Sequence, residues 1–294
     1  MPNDAPVEAV GGAALERPGR SRALGLIRAC HPGPTAVVTV LITALAAASG
    51  RGAIGCAMVA LAVLSGQLSI GWCNDRVDLR RDIAANRRDK PLVTGEARPG
   101  DVTMAAGCAL AACLPLSLAN GLLAGAAHLT GVAAAWCYNL GVKRTVISWL
   151  PYAIAFGLLP AFLTLALPGR PWPPAWAVAA GALLGVGAHL TNVLPDIDAD
   201  LAAGVRGLPQ RLGRRRAGAL AVLLLLGASA ALVLGPPGAI GPAGWSGLAA
   251  AGALAIAAVT LPGTGGGSRA PFVTTMALAA VDIAVLLLRG SALS

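Results

Sequence analysis

Apolar residues run along this chain in long blocks, broken by short polar or Gly/Pro-rich stretches. A helix crossing a hydrocarbon core needs about 20 such residues, within a range of about 17–25. Nine stretches qualify: residues 33–50, 52–73, 102–119, 121–139, 146–167, 173–195, 217–235, 238–261 and 271–289. Only Ala119-Asn120-Gly121 divides the third from the fourth, and Asn-Gly is where so long a run turns. The eighth starts among Pro236, Pro237 and Pro242. The first ends in Ala46-Ala47-Ala48-Ser49, which looks like a signal-cleavage site. The polar or mixed segment before it is longer than a secretory leader's charged region, so it reads as a span. The pattern predicts an all-α integral membrane protein with a polar N-terminal segment (1–30) and one transmembrane domain (31–290).

Composition agrees. Hydrophobic residues make up 56% and charged residues 12%, with mean hydropathy +0.72. A soluble domain carries about 25% charged residues. These values exclude an ordinary water-soluble enzyme, and a disordered chain could not leave so much apolar surface in water. The net charge of +9 would suit a nucleic-acid partner only on a soluble basic face. Lys and Arg held in cytoplasmic loops account for it better. With the N-terminus inside, 19 of the 22 Lys and Arg residues fall on the cytoplasmic side. Only Arg51, Arg170 and Arg289 fall outside. Nine spans then place the C-terminus outside, and the expected partner is the lipid bilayer of the cell membrane, with no nucleic acid. The six cysteines form no CxxC or Cys/His cluster, so they read as small buried residues rather than a disulfide or zinc framework.

Nine of the 13 acidic residues sit in two short stretches. One is Asn74-Asp75-Arg76-Val77-Asp78-Leu79-Arg80-Arg81-Asp82, followed by Asp89, Glu96 and Asp101. The other is Asp196-Ile197-Asp198-Ala199-Asp200. Each follows an even-numbered span, so both reach the cytoplasmic face although about 120 residues separate them. On a helix, Asn74, Asp78 and Asp82 stack on one side, as do Asp196 and Asp200. Carboxylates at a helix C-terminus face its negative end and need a cation. Oxygen ligands without His or Cys suit Mg²⁺ or Ca²⁺, and Mg²⁺ binds through one or two carboxylates plus substrate phosphates. The alternative is a mixed-charge loop in which Arg76, Arg80 and Arg81 pair with Asp75, Asp78 and Asp82. Lys143 and Arg144, Arg206, and Arg87, Arg88 and Lys90 reach the same face. They are positive-inside anchors or diphosphate contacts.

These stretches resemble the UbiA superfamily of intramembrane prenyltransferases. Asn74, Asp75, Asp78 and Asp82 are similar to its NDxxDxxxD motif. Asp89-Lys90-Pro91-Leu92-Val93-Thr94-Gly95 looks like the basic, proline-containing stretch that follows it. Tyr138-Asn139 with Lys143-Arg144 is similar to the segment after the fourth helix. Asn192, Asp196-Ile197-Asp198-Ala199-Asp200, Gly204, Arg206, Leu208-Pro209 and Leu212-Gly213 resemble the second motif and its tail. The resemblance covers about residues 28–290. It implies nine helices around a central cavity and Mg²⁺ held by Asn74, Asp75, Asp78, Asp82, Asp196 and Asp200. It also implies a prenyl diphosphate bound near Asn74, Tyr138, Lys143, Arg144, Asn192 and Arg206, with Asp78, Asp196 and Lys143 carrying catalysis. Pro195, Leu201 and Gly207 depart from the residues common in that family, which removes some cationic contacts.

The expected activity is Mg²⁺-dependent transfer of a prenyl group from a prenyl diphosphate to an acceptor, aromatic or another small nucleophile. The runner-up is a UbiA-type terpene cyclase, which needs no acceptor. An ion transporter would place ionisable groups mid-membrane, and these lie at one face. Acceptor identity and prenyl length leave no mark on the sequence. Trp72, Trp136, Tyr138, Trp149, Tyr152 and Phe156 near the cytoplasmic ends read as an interfacial belt or a cation-stabilising wall. His128, His189 and Asp282 fall inside spans. His189, seven residues before Asp196, is either a satisfied core histidine or a group that meets the acceptor or removes its proton.

Overall fold

The computed structural model describes residues 18–260 and 270–288. Its helices are α1 (Pro18–Ala29), α2 (Pro32–Ala48), α3 (Ala53–Ala84), α4 (Pro91–Thr94), α5 (Pro99–Leu118), α6 (Leu122–Leu140), α7 (Leu150–Gly157), α8 (Leu159–Thr164), α9 (Ala175–Val193), α10 (Ile197–Ala202), α11 (Leu208–Leu234), α12 (Pro242–Thr260) and α13 (Ala270–Leu288). Short 3₁₀ turns cover Val142–Arg144 and Leu194–Asp196. No strand occurs among the described residues. The 1–17 part of the polar N-terminal segment, Arg269 and Arg289 lie outside the described residues.

Helix breaks fall where the backbone chemistry demands them. Gly50 and Gly121 adopt left-handed φ values of 83° and 110° between α2 and α3 and between α5 and α6, a conformation that costs glycine little. The Asn120-Gly121 turn therefore lies at the expected place. Three departures from uninterrupted spans have clear causes. The fifth stretch splits at Leu158, because Pro160 has no N–H to donate and its ring crowds the preceding turn. Pro195 turns the end of α9 into a 3₁₀ turn, so Asp196 and Asp200 do not share one continuous α-helix. Gly213 (φ 76°, ψ 159°) breaks α11, leaving 208–212 as a separate turn on the site's side.

The helices close into a ring. α2 packs on α3, α3 on α5, α5 on α6, α6 on α7, α7 on α9, α9 on α11, α11 on α12, α12 on α13, and α13 returns to α2. Among the described residues, four helical segments are long and apolar enough to cross a membrane: Ala53–Ala84, Pro99–Leu118, Ala175–Ala202 and Leu208–Leu234. The pair Arg22–Ala29 and Pro32–Ala48, bent by 59°, makes a fifth if counted as one span.

The end of the bundle away from the acidic motifs is tightly filled, with Phe162, Leu163, Val59 and Val63 almost wholly buried. A second apolar cluster, including Leu190, Leu194, Ile197 and Ala221, lies directly under the second motif and anchors it. α7 and α9 approach closely through Gly181 and Gly185. A Cβ at either would lie 2.5 Å from the carbonyl oxygen of Phe156 or Tyr152. Small residues four apart commonly permit such contact between membrane helices. The cysteines are all free; Cys30, Cys73 and Cys113 are buried, whereas Cys108 and Cys137 are exposed, contrary to expectation.

Candidate active site

The first motif occupies the last turns of α3, whose regular geometry points Asn74, Asp78 and Asp82 along one face. Asp78 and Asp82 are buried, at 4% and 3% exposure. Asn74 donates to Asn139 Oδ1 at 3.0 Å, and Asn139 donates to the Ile70 carbonyl at 3.1 Å, tying the end of α6 to α3. The second motif arrives from the other side of the ring. The two meet at Arg81, whose guanidinium donates to Asp78 Oδ2 at 2.9 Å and to Asp200 Oδ1 at 3.4 Å, with Asp82 Oδ1 3.8 Å away.

Lys143, buried in the 3₁₀ turn after α6, donates its ammonium to Asp78 Oδ1. Burial pulls the Lys143 amine below its usual value, and the Asp78 carboxylate opposes that shift. Gln210 donates Nε2 to Asp200 Oδ2 at 2.8 Å. Asp196 is more open, with Arg87 NH1 3.7 Å from its Oδ1. That arginine also grips Asp89 through two 3.0 Å contacts, holding the Asp89 carboxyl below its usual range.

Asp75 has different partners. About 100° around the helix from Asn74, it lies within about 60° of Asp78 and about 20° of Asp82. It takes contacts from His31 Nε2 at 2.8 Å and Lys90 Nζ at 2.6 Å. These contacts tie the α1–α2 elbow and the 85–97 loop to α3 and engage Lys90. Asp198, Arg144, Asn192 and Arg206 are exposed. Arg214 makes two contacts at the break before α10, to the Leu194 carbonyl at 2.5 Å and Asp198 at 3.0 Å.

Below the charged layer lies an aromatic one. Tyr138 meets Tyr152 edge-on at 5.1 Å and His189 edge-on at 5.5 Å, and Tyr152 stacks on His189 at 4.8 Å. Trp72 and Trp136 serve packing instead, donating to the Leu26 carbonyl and Ser69. His128 is a satisfied core histidine, bonded to Ser117 at 2.8 Å and stacked on Phe162. Sequence reasoning treated Arg81 as a loop partner and overlooked Ser148 and Gln210, single polar residues in turns that carry no motif. Gly207 is now explained: a Cβ there would lie 2.6 Å from the Lys143 carbonyl and 2.8 Å from Gln210 Oε1.

The donor set is all oxygen, which suits a hard divalent ion. Among the described residues, no group of three or more His, Cys, Asp or Glu side chains is placed to hold a metal ion. Mg²⁺ is commonly bound through only one or two carboxylates, with ligand oxygens completing its shell.

The sequence matches the UbiA prenyltransferase family over residues 36–284. No curated protein matches it significantly. The fold resembles that of a UbiA homolog from Aeropyrum pernix K1 in its apo form, with TM-score 0.68 and 19% identity over 87% of this chain and 98% of that one. It also resembles a UbiA homolog from Archaeoglobus fulgidus bound to DMAPP and Mg²⁺, with TM-score 0.61 and 18% identity over 89% and 99%. A digeranylgeranylglyceryl phosphate synthase superposes with TM-score 0.60 and 15% identity over 91% and 96%. The match over most of the chain, on the fold and motifs described above, makes this protein a member of the UbiA prenyltransferase family.

Proposed function

We propose that this protein transfers a prenyl group from a prenyl diphosphate to an acceptor, in the membrane and with Mg²⁺. One observation carries the reading. Two acidic motifs distant in sequence share a single cation, Arg81, between Asp78 and Asp200. Carboxylates and cations interleaved at the end of an apolar bundle suit a ligand with an anionic head and a hydrocarbon tail. The A. fulgidus homolog binds such a ligand, DMAPP, together with Mg²⁺.

Asn74, Asp78 and Asp82 from α3, with Asp196 and Asp200 opposite, are the residues that would hold Mg²⁺. Bound there, the ion would neutralise diphosphate charge as the allylic C–O bond breaks. Lys143 and Arg81 hold the Asp78 carboxylate in place, and each offers donors to diphosphate oxygens when these displace a carboxylate contact. Such preplaced donors favour the leaving group as charge builds on it. The Tyr138 and Tyr152 rings lie beneath this layer, where their faces can stabilise the allylic cation.

In this reading residues 31–290 form one transmembrane unit of nine spans after a polar segment at 1–30. The N-terminus and the site face the cytoplasm and the C-terminus faces outside. Purified protein supplied with a panel of prenyl diphosphates and acceptors, its products read by mass spectrometry, tests the activity. Pyrophosphate release that requires both an acceptor and Mg²⁺ supports transfer. A cyclic terpene formed without any acceptor overturns it in favour of the cyclase.

A further inference from the structure

Two buried polar atoms beside the charged layer have no hydrogen-bond partner: His189 Nδ1 and Gln210 Oε1. His189 is 1% exposed and Gln210 7%. Leaving such atoms unpaired is costly, so two in one place call for a reason. They flank Ser148. Its Oγ lies 3.2 Å from His189 Nε2 and accepts the Leu208 N–H at 3.0 Å. A Cβ on Gly207 would touch both Ser148 Oγ, at 3.0 Å, and Gln210 Oε1, at 2.8 Å. The other end of the Gln210 amide holds Asp200. An uncharged polar patch thus adjoins the carboxylates, with the Tyr138 and Tyr152 rings against His189. Next to it an apolar crevice of about 310 Å³ is lined by Trp149, Ala153, Ala182, Val186 and Leu208, the residue bonded to Ser148.

We propose that His189, Ser148 and Gln210 form the acceptor subsite, and that the acceptor is an apolar-bodied compound with two hydrogen-bond donors, one of them the reacting hydroxyl. This rests on the prenyl-transfer reading. Ser148 accepts both the Leu208 N–H and the His189 Nε2–H, which leaves Nδ1 with its lone pair. Nδ1 and Gln210 Oε1 are then both acceptors, so the ligand must bring the hydrogens. The reacting O–H points to Nδ1, and the second donor points to Gln210. As the allylic C–O bond breaks, its electron pair leaves with the diphosphate. A lone pair of the acceptor oxygen forms the new C–O bond, and the hydroxyl proton passes to Nδ1, giving an imidazolium that later releases it to water. The crevice takes the apolar body.

The test uses the full chain in detergent with Mg²⁺, a prenyl diphosphate, and hydroquinone, an aliphatic 1,2-diol, and the mono- and dimethyl ethers of each. Prenylation should fall from diol to monoether and vanish with the diether. His189→Ala should lower kcat by about 10²–10⁴, the usual contribution of a general base. Gln210→Leu should raise the acceptor KM about tenfold. Mg²⁺-dependent binding of a prenyl thiolodiphosphate, measured by calorimetry, should survive His189→Ala and shows that the variant is folded. If that variant does not fold, Ser148→Ala carries the test and should lower kcat with little change in acceptor KM. Wild-type protein that binds no thiolodiphosphate points to failure of the prenyl-transfer reading itself. Protein that binds it but transfers at the wild-type rate without His189, or prenylates the diethers or no hydroxyl compound at all, overturns the subsite.

Discussion

Arg81 and Asp200 lie 119 positions apart in the chain and 3.4 Å apart in space. Arg81 also sits one helical turn from Asp78 on α3, so one guanidinium joins both acidic motifs. A cation among carboxylates at a helix C-terminus relieves repulsion that the helix dipole would worsen. In the proposed reading, a diphosphate with its metal ions would meet the same balance of charge here, exchanging one set of partners for another.

Replacing carboxylates tests the metal assignment, and the positions differ in value. Asp78 is buried against Lys143, so Asp78→Asn leaves an unpaired buried ammonium and should cost about 3–5 kcal/mol of stability as well as activity. Asp196 has a side chain 38% exposed and packs no core. Asp196→Asn should therefore abolish turnover with little change in Tm. Chelator should silence the wild type and Mg²⁺ restore it. Normal turnover by folded Asp196→Asn protein would remove this residue from the ligand set.

Asp75 should behave unlike its motif neighbours. Its two contacts fasten the α1–α2 elbow, where His31 holds a left-handed φ of 56°, and the loop carrying Lys90. Asp75→Asn should leave the Mg²⁺ concentration for half-maximal activity within about threefold of wild type, because its Oδ1 is already engaged by His31 and Lys90. Cleavage by trypsin at Arg28, Arg87 or Arg88 should become faster as the elbow and loop loosen. A large rise in the Mg²⁺ requirement with unchanged proteolysis would return Asp75 to the metal.

How much of this was legible in the sequence follows from the range of the forces involved. Helices, their breaks at Gly50 and Asn120-Gly121, and the two acid motifs all depend on local pattern; the break before Pro160 is also local, but 146–167 reads as one apolar span. The face shared by Asn74, Asp78 and Asp82 follows from helical period alone. The same period puts Asp75 within about 20° of Asp82, so its separate partners, His31 and Lys90, could not be read from pattern alone. Arg81 looked like a local partner of Asp78, and it is one; its second contact, to Asp200, exists only once the ring closes. Ser148 and Gln210 belong to no periodic pattern. Their role depends on which turns meet below Lys143, and that is tertiary information.

The close approach of α7 to α9 makes a stability prediction. Gly181→Ala would place a methyl 2.5 Å from the Phe156 carbonyl, a backbone atom that cannot rotate away. Overpacking of this kind costs about 1–3 kcal/mol. The Tm in detergent should fall by several degrees, while Gly100→Ala, with open space around its Cβ position, should leave it unchanged. Equal Tm values for the two variants would mean that the helices separate freely.

Orientation can be read by chemical labelling. Ala199 and Pro168 are both exposed and lie at opposite ends of α9. In a chain stripped of its own cysteines, Ala199→Cys should react with an impermeant maleimide only from the cytoplasmic side. Pro168→Cys should react only from outside. Labelling of both from one side would break the nine-span topology.

Lys143 gives the sharpest test of the chemistry. Its ammonium is 5% exposed and bonded to Asp78, whereas the adjacent Arg144 is exposed. If Lys143 stabilises charge developing on the departing diphosphate, its loss lowers kcat more than it raises KM, because the contact strengthens in the transition state. Lys143→Ala should cost about 10²–10³ in kcat, the usual effect of removing one such donor. Part of any loss would come from Asp78 giving up a counter-charge, and the arginine substitution separates the two contributions. Lys143→Arg keeps the positive charge beside Asp78 but replaces a compact ammonium with a planar fork. It should recover stability nearly in full and activity only in part. Arg144→Ala, which changes an exposed charge one residue away, should alter kcat by less than threefold. Equal losses from both alanine variants would reduce this segment to a positive-inside anchor and leave Arg81 as the cation that meets the diphosphate.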